Sequence, residues 1–292
     1  MLTSQLSNHI VKLLSPGKVR TENVTFQSIG GGSINKTYKV SIHDASYFCK
    51  INSASKFPQL FEKEWNGLKL IGSKGGIQVP EVLYCFQLED CQVLILRWID
   101  EGQKDEQFWE RFGEQLAALH NNSNEYFGLH ESNYMGSLVQ LNNPSEDWTV
   151  YFNKSRLQPL VSLCYNIGAL TDKHLKQFDR ISLKLPEIFG ERQKPGLVHG
   201  DLWSGNFLCN KAGDPVLIDP AVCYAHPSVD LGMSTLFGGF GPRFYEAYHY
   251  CHPLPTNFKE QWEICNLYPL LVHLFLFGNS YLSQVQETLH KY

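Results

Sequence analysis

The sequence predicts an α+β chain of two lobes, a small antiparallel-sheet lobe with one main helix and a larger, mostly helical one. Three observations carry this. Short alternating apolar runs crowd into the first hundred residues. From about Asp105 onward, apolar stripes at helical spacing take over. That helical stretch is interrupted at residues 196–220, where an acid- and amide-bearing loop leads into an apolar hairpin. We set the boundary so that residues 1–99 form the first lobe and 100–292 the second. A length of 292 residues suits two packed domains at roughly 150 residues each.

Leu2, Leu6, Ile10, Leu13 and Leu14 predict a short amphipathic helix, stopped by Ser15-Pro16-Gly17. Strands follow at Val24–Ile29 and Lys36–Val40, joined by Gly30-Gly31-Gly32-Ser33. Glycines let backbone amides approach phosphate oxygens that a Cβ would hold off, although such a hairpin in isolation is an ordinary turn. Tyr47-Phe48-Cys49-Lys50-Ile51 alternates as a strand and places Lys50 inside it. A lysine there needs a partner. The next helix, about Pro58 to Ile71, has a stripe of Leu60, Phe61, Trp65, Leu68 and Ile71 that contains Glu64 but not Glu62 or Lys63. Pairing Lys50 with Glu64 satisfies both, either as a nucleotide-positioning pair or as a structural one. Strands at Val82–Phe86 and Val93–Leu96 run into a lobe junction at Arg97–Gly102. Asp105 is placed to cap a helix with stripe Phe108, Phe112, Leu116 and Leu119. Loop material fills His120 to Asp147, and further helices are expected near 148–166, 172–189, 228–251 and 258–290.

The chemistry concentrates at residues 196–220. Phe207–Cys209 and Val216–Ile218 pair as a hairpin around the turn 210–214, which puts Asn206 and Asp219 at neighbouring ends, with Asp201 on the loop leading in. Two carboxylates and a carboxamide at this spacing form the oxygen set of a phosphoryl-transfer site. One acid orients the acceptor hydroxyl, while the amide and the second acid hold Mg²⁺. The chain is 43% hydrophobic and 18% charged with a net charge near −4, which excludes both a disordered chain and an electrostatic nucleic-acid binder. Its eight cysteines form no Cys-x-x-Cys pair and read as reduced core residues. The most apolar late run, Leu267–Phe277, is too short to span a bilayer. With no signal peptide in view, a cytoplasmic protein is expected.

With these residues placed, the chain resembles the protein-kinase-like superfold and, within it, the fructosamine/ketosamine-3-kinase family. The similarity runs nearly end to end, through Gly30–Ser33, Phe48–Asn52, Phe61–Glu64, Asp147-Trp148, Arg156-Leu157, Asp219-Pro220-Ala221, Asp230-Leu231, Leu236–Phe240 and Leu267-Tyr268-Pro269. His199-Gly-Asp-Leu-Trp-Ser-Gly-Asn206 is far more specific than a general kinase pattern, and Trp203 separates this family from most aminoglycoside and choline kinase relatives. The resemblance implies a bilobal protein-kinase-like fold and ATP-dependent phosphorylation of a ketosamine on its sugar O3, after which the amine is freed. By position, Asp201 resembles the catalytic base and Asn206 and Asp219 the Mg²⁺ ligands. Gly31, Gly32, Ser33, Lys50 and Glu64 resemble the phosphate-binding set, and Arg97-Trp98-Ile99 the adenine hinge. Trp203 and His273 fall where relatives meet the sugar-amine. Asp230 is expected to anchor the catalytic loop.

Two departures accompany the match. Arg97 stands where many kinases have an acid, which leaves a backbone-mediated hinge intact, and Ser33 stands where some relatives have a cysteine. The chain also lacks an Ala-Pro-Glu motif after Asp219, which argues against a regulated protein kinase. The expected cofactors are ATP and Mg²⁺. The expected substrate is a small-molecule or protein-borne ketosamine, and the expected state a monomer or weak homodimer with no nucleic-acid or membrane partner. The competing readings are another small-molecule kinase of the aminoglycoside or choline type and a nucleotide-binding pseudokinase scaffold.

Overall fold

The computed structural model describes residues 2–15, 24–30, 34–190 and 193–292. The chain divides into two compact units, Met1–Leu68 with Pro80–Asp100, and Lys69–Val79 with Glu101–Tyr292.

The first unit opens on helix α1, Ser4–Leu14, whose first turn is capped by Thr3 accepting the Leu6 amide at 3.2 Å. Strands β1 (Val24–Ile29), β2 (Lys36–Ile42) and β3 (Ala45–Ser53) precede helix α2 (Leu60–Lys74), and β4 (Val82–Leu88) and β5 (Cys91–Arg97) follow it. The sheet runs β1-β2-β3-β5-β4 and is antiparallel throughout. Alternation along β3 sorts its faces. Cys49 and Ile51 join Leu6, Ile10, Val40, Ile42, Val93 and Ile95 in one apolar cluster under α1. Lys50 points the other way, toward α2, on the face shared with Gln92, which accepts the Phe61 amide at 3.2 Å. The stripe predicted for α2 needs one correction: Trp65 is 40% exposed. At about 100° per residue it lies about 90° off the stripe's centre, whereas Glu64 falls close to it.

The second unit takes in Lys69–Lys74 at the end of α2, and its next helix is α3, Phe108–His120. Asp105 does not cap this helix. Gln107 occupies the N-cap, and Asp105 accepts the Gln107 amide and the Arg111 guanidinium, both at 3.0 Å. The stretch expected to be loop holds a hairpin, β6 (Asn133–Met135) with β7 (Leu138–Gln140). Helix α4 (Trp148–Phe152) passes through a π-helical turn at Asn153–Leu157 into α5 (Gln158–Asn166), and α6 covers Asp172–Phe189. Strands β8 (Gly196–Val198), β9 (Phe207–Cys209), β10 (Pro215–Leu217) and β11 (Cys223–Ala225) form two antiparallel pairs, β9 with β10 and β8 with β11. The β9–β10 pair is the expected hairpin.

The helices expected at 228–251 and 258–290 are each broken. Helix α7 (Ser228–Met233) is separated from α8 (Pro242–Cys251) by a segment in which Phe237, Gly238 and Gly239 all have left-handed φ. Gly278, at φ 88°, ends α9 (Phe258–Phe277) before a 3₁₀ turn and α10 (Leu282–Leu289). Apolar periodicity continues across these breaks, which is why it did not reveal them.

Two apolar clusters fill this unit. One is centred on α4, α6 and α9, and the other packs α3 against α8 and the β9–β10 hairpin. All eight cysteines are free thiols; Cys251 is exposed, so the core reading fails there. No helix among the described residues is long and apolar enough to cross a membrane.

His226 is buried at the edge of the first of these clusters, against Trp148 and Phe189 with ring centroids at 5.8 and 5.1 Å. As a neutral ring it is satisfied on both nitrogens: Nδ1 accepts the Ser228 amide and Nε2–H donates to Gln193. Burial, reinforced by His120 and His252, pushes its pKa from 6.5 down to about 3. The unfolded chain therefore binds a proton below pH 6.5 that the native chain refuses until about pH 3. Stability should fall across that window by up to about 1.4 kcal/mol per pH unit from this residue. Urea unfolding at pH 7 and pH 5 should show a smaller loss for His226→Gln than for the wild type; an equal loss would contradict the assignment.

Candidate active site

The site is built around a backbone problem. The start of the loop from β8 to β9, His199-Gly200, is buried, and its amides have no strand to bond with. Asp230, fully buried in α7, supplies the acceptors. Its Oδ2 accepts the His199 amide at 2.7 Å and its Oδ1 accepts the Gly200 amide at 2.8 Å. His120 Nε2–H donates to Oδ2 at 3.0 Å, and Tyr248 OH donates to His120 Nδ1 at 2.8 Å. Burial alone would raise the Asp230 carboxyl. The hydrogen bond from His120, the two neighbouring histidines and the Gly200 amide outweigh it and hold the group below the ordinary carboxylate range. The expected anchoring role of Asp230 is therefore visible as three hydrogen bonds.

Two glycines make the loop possible. Gly200 has φ 85°, and a Cβ on it would lie 2.1 Å from the Ala221 carbonyl oxygen. Gly205 has the Trp203 indole where a Cβ would be, 2.3 Å from its nearest ring carbon. His199, itself buried, then laces the loop to the hairpin: its ring donates to the Ile218 carbonyl at 2.9 Å and accepts the Asp201 amide at 3.2 Å. Burial lowers the His199 pKa against the pull of Asp230, so the ring is neutral and keeps this donor–acceptor arrangement.

Asp201 and Asn206 are brought into direct contact. Asn206 Nδ2 donates to both the Asp201 carbonyl and its Oδ2 at 2.8 Å. With its nitrogen committed, Asn206 presents Oδ1 as an oxygen ligand. Burial pushes the Asp201 carboxyl up to about 7 against the Asn206 hydrogen bond, with help from the charges of Asp219 and Asp230. Asp219 adopts a left-handed backbone, φ 56°. Among the described residues no three His, Cys, Asp or Glu side chains converge as a protein-only metal site. One carboxylate and one carboxamide oxygen fit a hard cation such as Mg²⁺, which takes its remaining ligands from phosphate and water.

Trp203 and His273 are linked through a residue that sequence reasoning missed. Phe237 lies 5.9 Å from Trp203 and 4.8 Å from His273, centroid to centroid, and Tyr281 lies 5.0 Å from His273. All four rings are partly exposed. His273 Nδ1–H donates to the Pro269 carbonyl at 2.7 Å, leaving Nε2 as an acceptor, and burial lowers its pKa. The ordinary expectation for this residue, a histidine bonded to a carbonyl, and its ligand role are thus compatible. No sequence signal marked Phe237 beyond its place in Leu236–Phe240.

In the first unit Lys50 Nζ and Glu64 Oε1 meet at 2.7 Å, with side chains 2% and 11% exposed. Arg97 points to solvent and pairs with Glu81 at 2.6 Å. The Arg97 and Trp98 amides donate to the Glu81 and Ser46 carbonyls. Gly31, Gly32 and Ser33 lie outside the described residues.

Removing one member of a buried ion pair strands the other charge, at about 3–5 kcal/mol. Lys50→Met should lower urea-unfolding stability by that amount, and adding Glu64→Leu should restore much of it. A double variant as unstable as the two single losses summed would count against the pair.

A sequence model described as fructosamine kinase matches residues 6–292. The chain is 36% identical over 266 residues to an Enterococcus faecium protein named "Probable ketoamine kinase", covering 90% of this chain and 93% of that one. It is 32% identical over 287 residues to the chloroplastic protein-ribulosamine 3-kinase of Oryza sativa subsp. japonica, covering 96% of this chain and 82% of that one. Among solved structures, a fructosamine-3-kinase candidate from Thermobifida fusca superposes with TM-score 0.83 at 31% identity, covering 92% of this chain and 95% of that one. With the family model matched from residue 6 to the end and relatives at this level of identity over nearly the whole chain, the chain belongs to the fructosamine kinase family.

Proposed function

We infer that this chain is an ATP-dependent kinase that phosphorylates ketosamines on the sugar O3. The observation that carries the reading is the contact of Asp201 with Asn206 on a loop clamped by Asp230, in a chain of this family. Lys50, held by Glu64, holds the nucleotide phosphates, and the sequence alone assigns Gly31, Gly32 and Ser33 to phosphate binding. Two of the hinge amides are already committed to Glu81 and Ser46, so adenine meets the Ile99 amide and the carbonyls of Arg97–Ile99. Asn206 and Asp219 hold Mg²⁺, which when bound neutralises charge on the transferring phosphates.

Asp201 orients the O3 hydroxyl toward the γ-phosphorus. As the O3–P bond forms and the bond to the ADP oxygen breaks, the hydroxyl proton passes to Asp201. The transition state is loose, so orientation matters more than basicity. Trp203 and His273, with Phe237 between them, receive the sugar-amine: the indole stacks against it and His273 Nε2 accepts a hydrogen bond. The 3-phosphate then leaves by elimination, and water hydrolyses the resulting imine, which breaks the C–N bond and frees the amine.

Incubation with ATP–Mg²⁺ and a panel of fructosamines, ribulosamines and erythrulosamines, followed by mass spectrometry, should show one added phosphate on at least one of them. Turnover of an aminoglycoside or choline alone would overturn the substrate class. Asp201→Asn should lower kcat by about 10² to 10⁴ while leaving ATP affinity by calorimetry unchanged, since no nucleotide contact is assigned to it. Near-normal turnover would mean that another group handles the hydroxyl.

A further inference from the structure

Arg156 is buried in the π-helical turn, and among the described residues no carboxylate pairs with it. A guanidinium in that position carries a desolvation penalty of several kcal/mol that its hydrogen bonds must offset. Its hydrogen bonds show where the charge is used. One Nη donates to the Leu141 carbonyl and, at 3.1 Å, to that of Ser155. The other donates to Asn142 Oδ1 at 2.8 Å, to Tyr151 OH, and weakly to Cys223 Sγ at 3.5 Å. The guanidinium also lies over the rings of Tyr151 and Tyr268, 4.8 and 5.3 Å from their centroids.

At Asn142 the network branches: Nδ2 donates to the Glu131 carbonyl at 3.0 Å, and a longer branch runs through Asn133 toward Ala221 and Val222. Asn142 Nδ2 donates to Asn133 Oδ1 at 2.9 Å, and Gln140 Nε2 donates to the same oxygen at 2.9 Å. Asn133 Nδ2 donates to the Val222 carbonyl at 2.8 Å, and Gln140 Nε2 to the Ala221 carbonyl at 2.9 Å. Tyr268 OH donates to Gln140 Oε1 at 3.0 Å, which fixes that amide's orientation. Ala221 and Val222 follow directly on Asp219-Pro220. The Ala221 carbonyl sits where a Cβ on Gly200 would be, and the Ala221 amide donates to His199 at 2.9 Å.

We propose that Arg156 is a positioning residue for phosphoryl transfer: through Asn142, Asn133 and Gln140 it fixes the Ala221 and Val222 carbonyls, and so the register of Asp219 against Gly200-Asp201. The fork-shaped cation suits this task because it polarises Asn142 and Tyr151 together from one rigid plane. The β6–β7 hairpin then has a purpose beyond packing, since Asn133 and Gln140 are its first and last residues. The inference rests on the kinase reading above.

The test uses the full chain with Arg156→Met, which keeps volume, and Arg156→Lys, which keeps charge without the fork. Outside pairing of this kind is typically worth about 10- to 100-fold in activity. Both variants should lose that factor in kcat, with KM for ATP and ATP affinity unchanged. Hydrogen exchange should quicken at the Ala221 and Cys223 amides while α9 stays protected. Gln140→Met should lower kcat too, and the double variant should lose less than the product of the two. Basal ATP hydrolysis without acceptor, measured alongside, separates failure of this inference from failure of the ketosamine assignment. A folded Arg156→Met with wild-type kcat, full rescue by Arg156→Lys, or exchange that quickens uniformly would overturn the proposal.

Discussion

The structure of the second unit depends on one buried carboxylate. The loop that carries Asp201, the acid proposed to handle the acceptor hydroxyl, lies between β8 and β9 and pairs with no strand of its own. Yet its amides lie where water does not reach, and an unmet buried amide costs about as much as a lost hydrogen bond. Asp230 resolves this by accepting two successive amides on its two oxygens. His120 and Tyr248 keep it ionised and oriented. Gly200 is required because no side chain fits beside the Ala221 carbonyl, and His199 ties the same loop to the hairpin that ends at Asp219. Asp201, Asn206 and the end of the hairpin at Asp219, the groups proposed for the chemistry, are thus held by a network of buried side chains.

Such networks are expensive, and the molecule has several. Lys50 with Glu64 buries an ion pair that two well-packed apolar residues could replace together with little loss of stability, and Arg156 buries a cation among neutral acceptors. What hydrophobic packing cannot supply is a single orientation for a carbonyl or carboxylate. The apolar clusters around α4, α6 and α9 and around α3 and α8 hold the fold. The buried polar groups set the register of the loops that those clusters leave otherwise free.

Most of this architecture was legible in the amino acids. Alternation marked the five-stranded sheet, and the burial of Lys50 opposite Glu64 followed from placing an acid at the centre of an apolar stripe. The β9–β10 hairpin followed from two apolar runs around a polar turn. What escaped was local and conformational. Periodicity does not register a glycine with left-handed φ, so two long helices were drawn where four elements exist. The β6–β7 hairpin has strands of only three residues each, too short to show alternation, and their buried outer ends are the polar Asn133 and Gln140, so it looked like loop. Phe237 and Arg156 stood out only as members of family-like stretches, because an aromatic residue or an arginine acquires its role from the neighbours that the fold brings to it, Trp203 and His273 for the one and Asn142 and Cys223 for the other. Trp65 was misplaced for a simpler reason: a stripe has edges, and hydrophobicity alone does not say where they fall.

The central claim is that the geometry around Asp201 delivers phosphate to the O3 hydroxyl of a ketosamine. Time-resolved ³¹P and ¹H NMR of the enzyme with ATP–Mg²⁺ and a purified ketosamine tests it most directly. The account predicts a phosphate monoester coupled to the proton on sugar carbon 3. That signal should decay to inorganic phosphate in step with release of free amine. A stable ester on a different hydroxyl, or phosphate appearing without any ester or amine release, would contradict it.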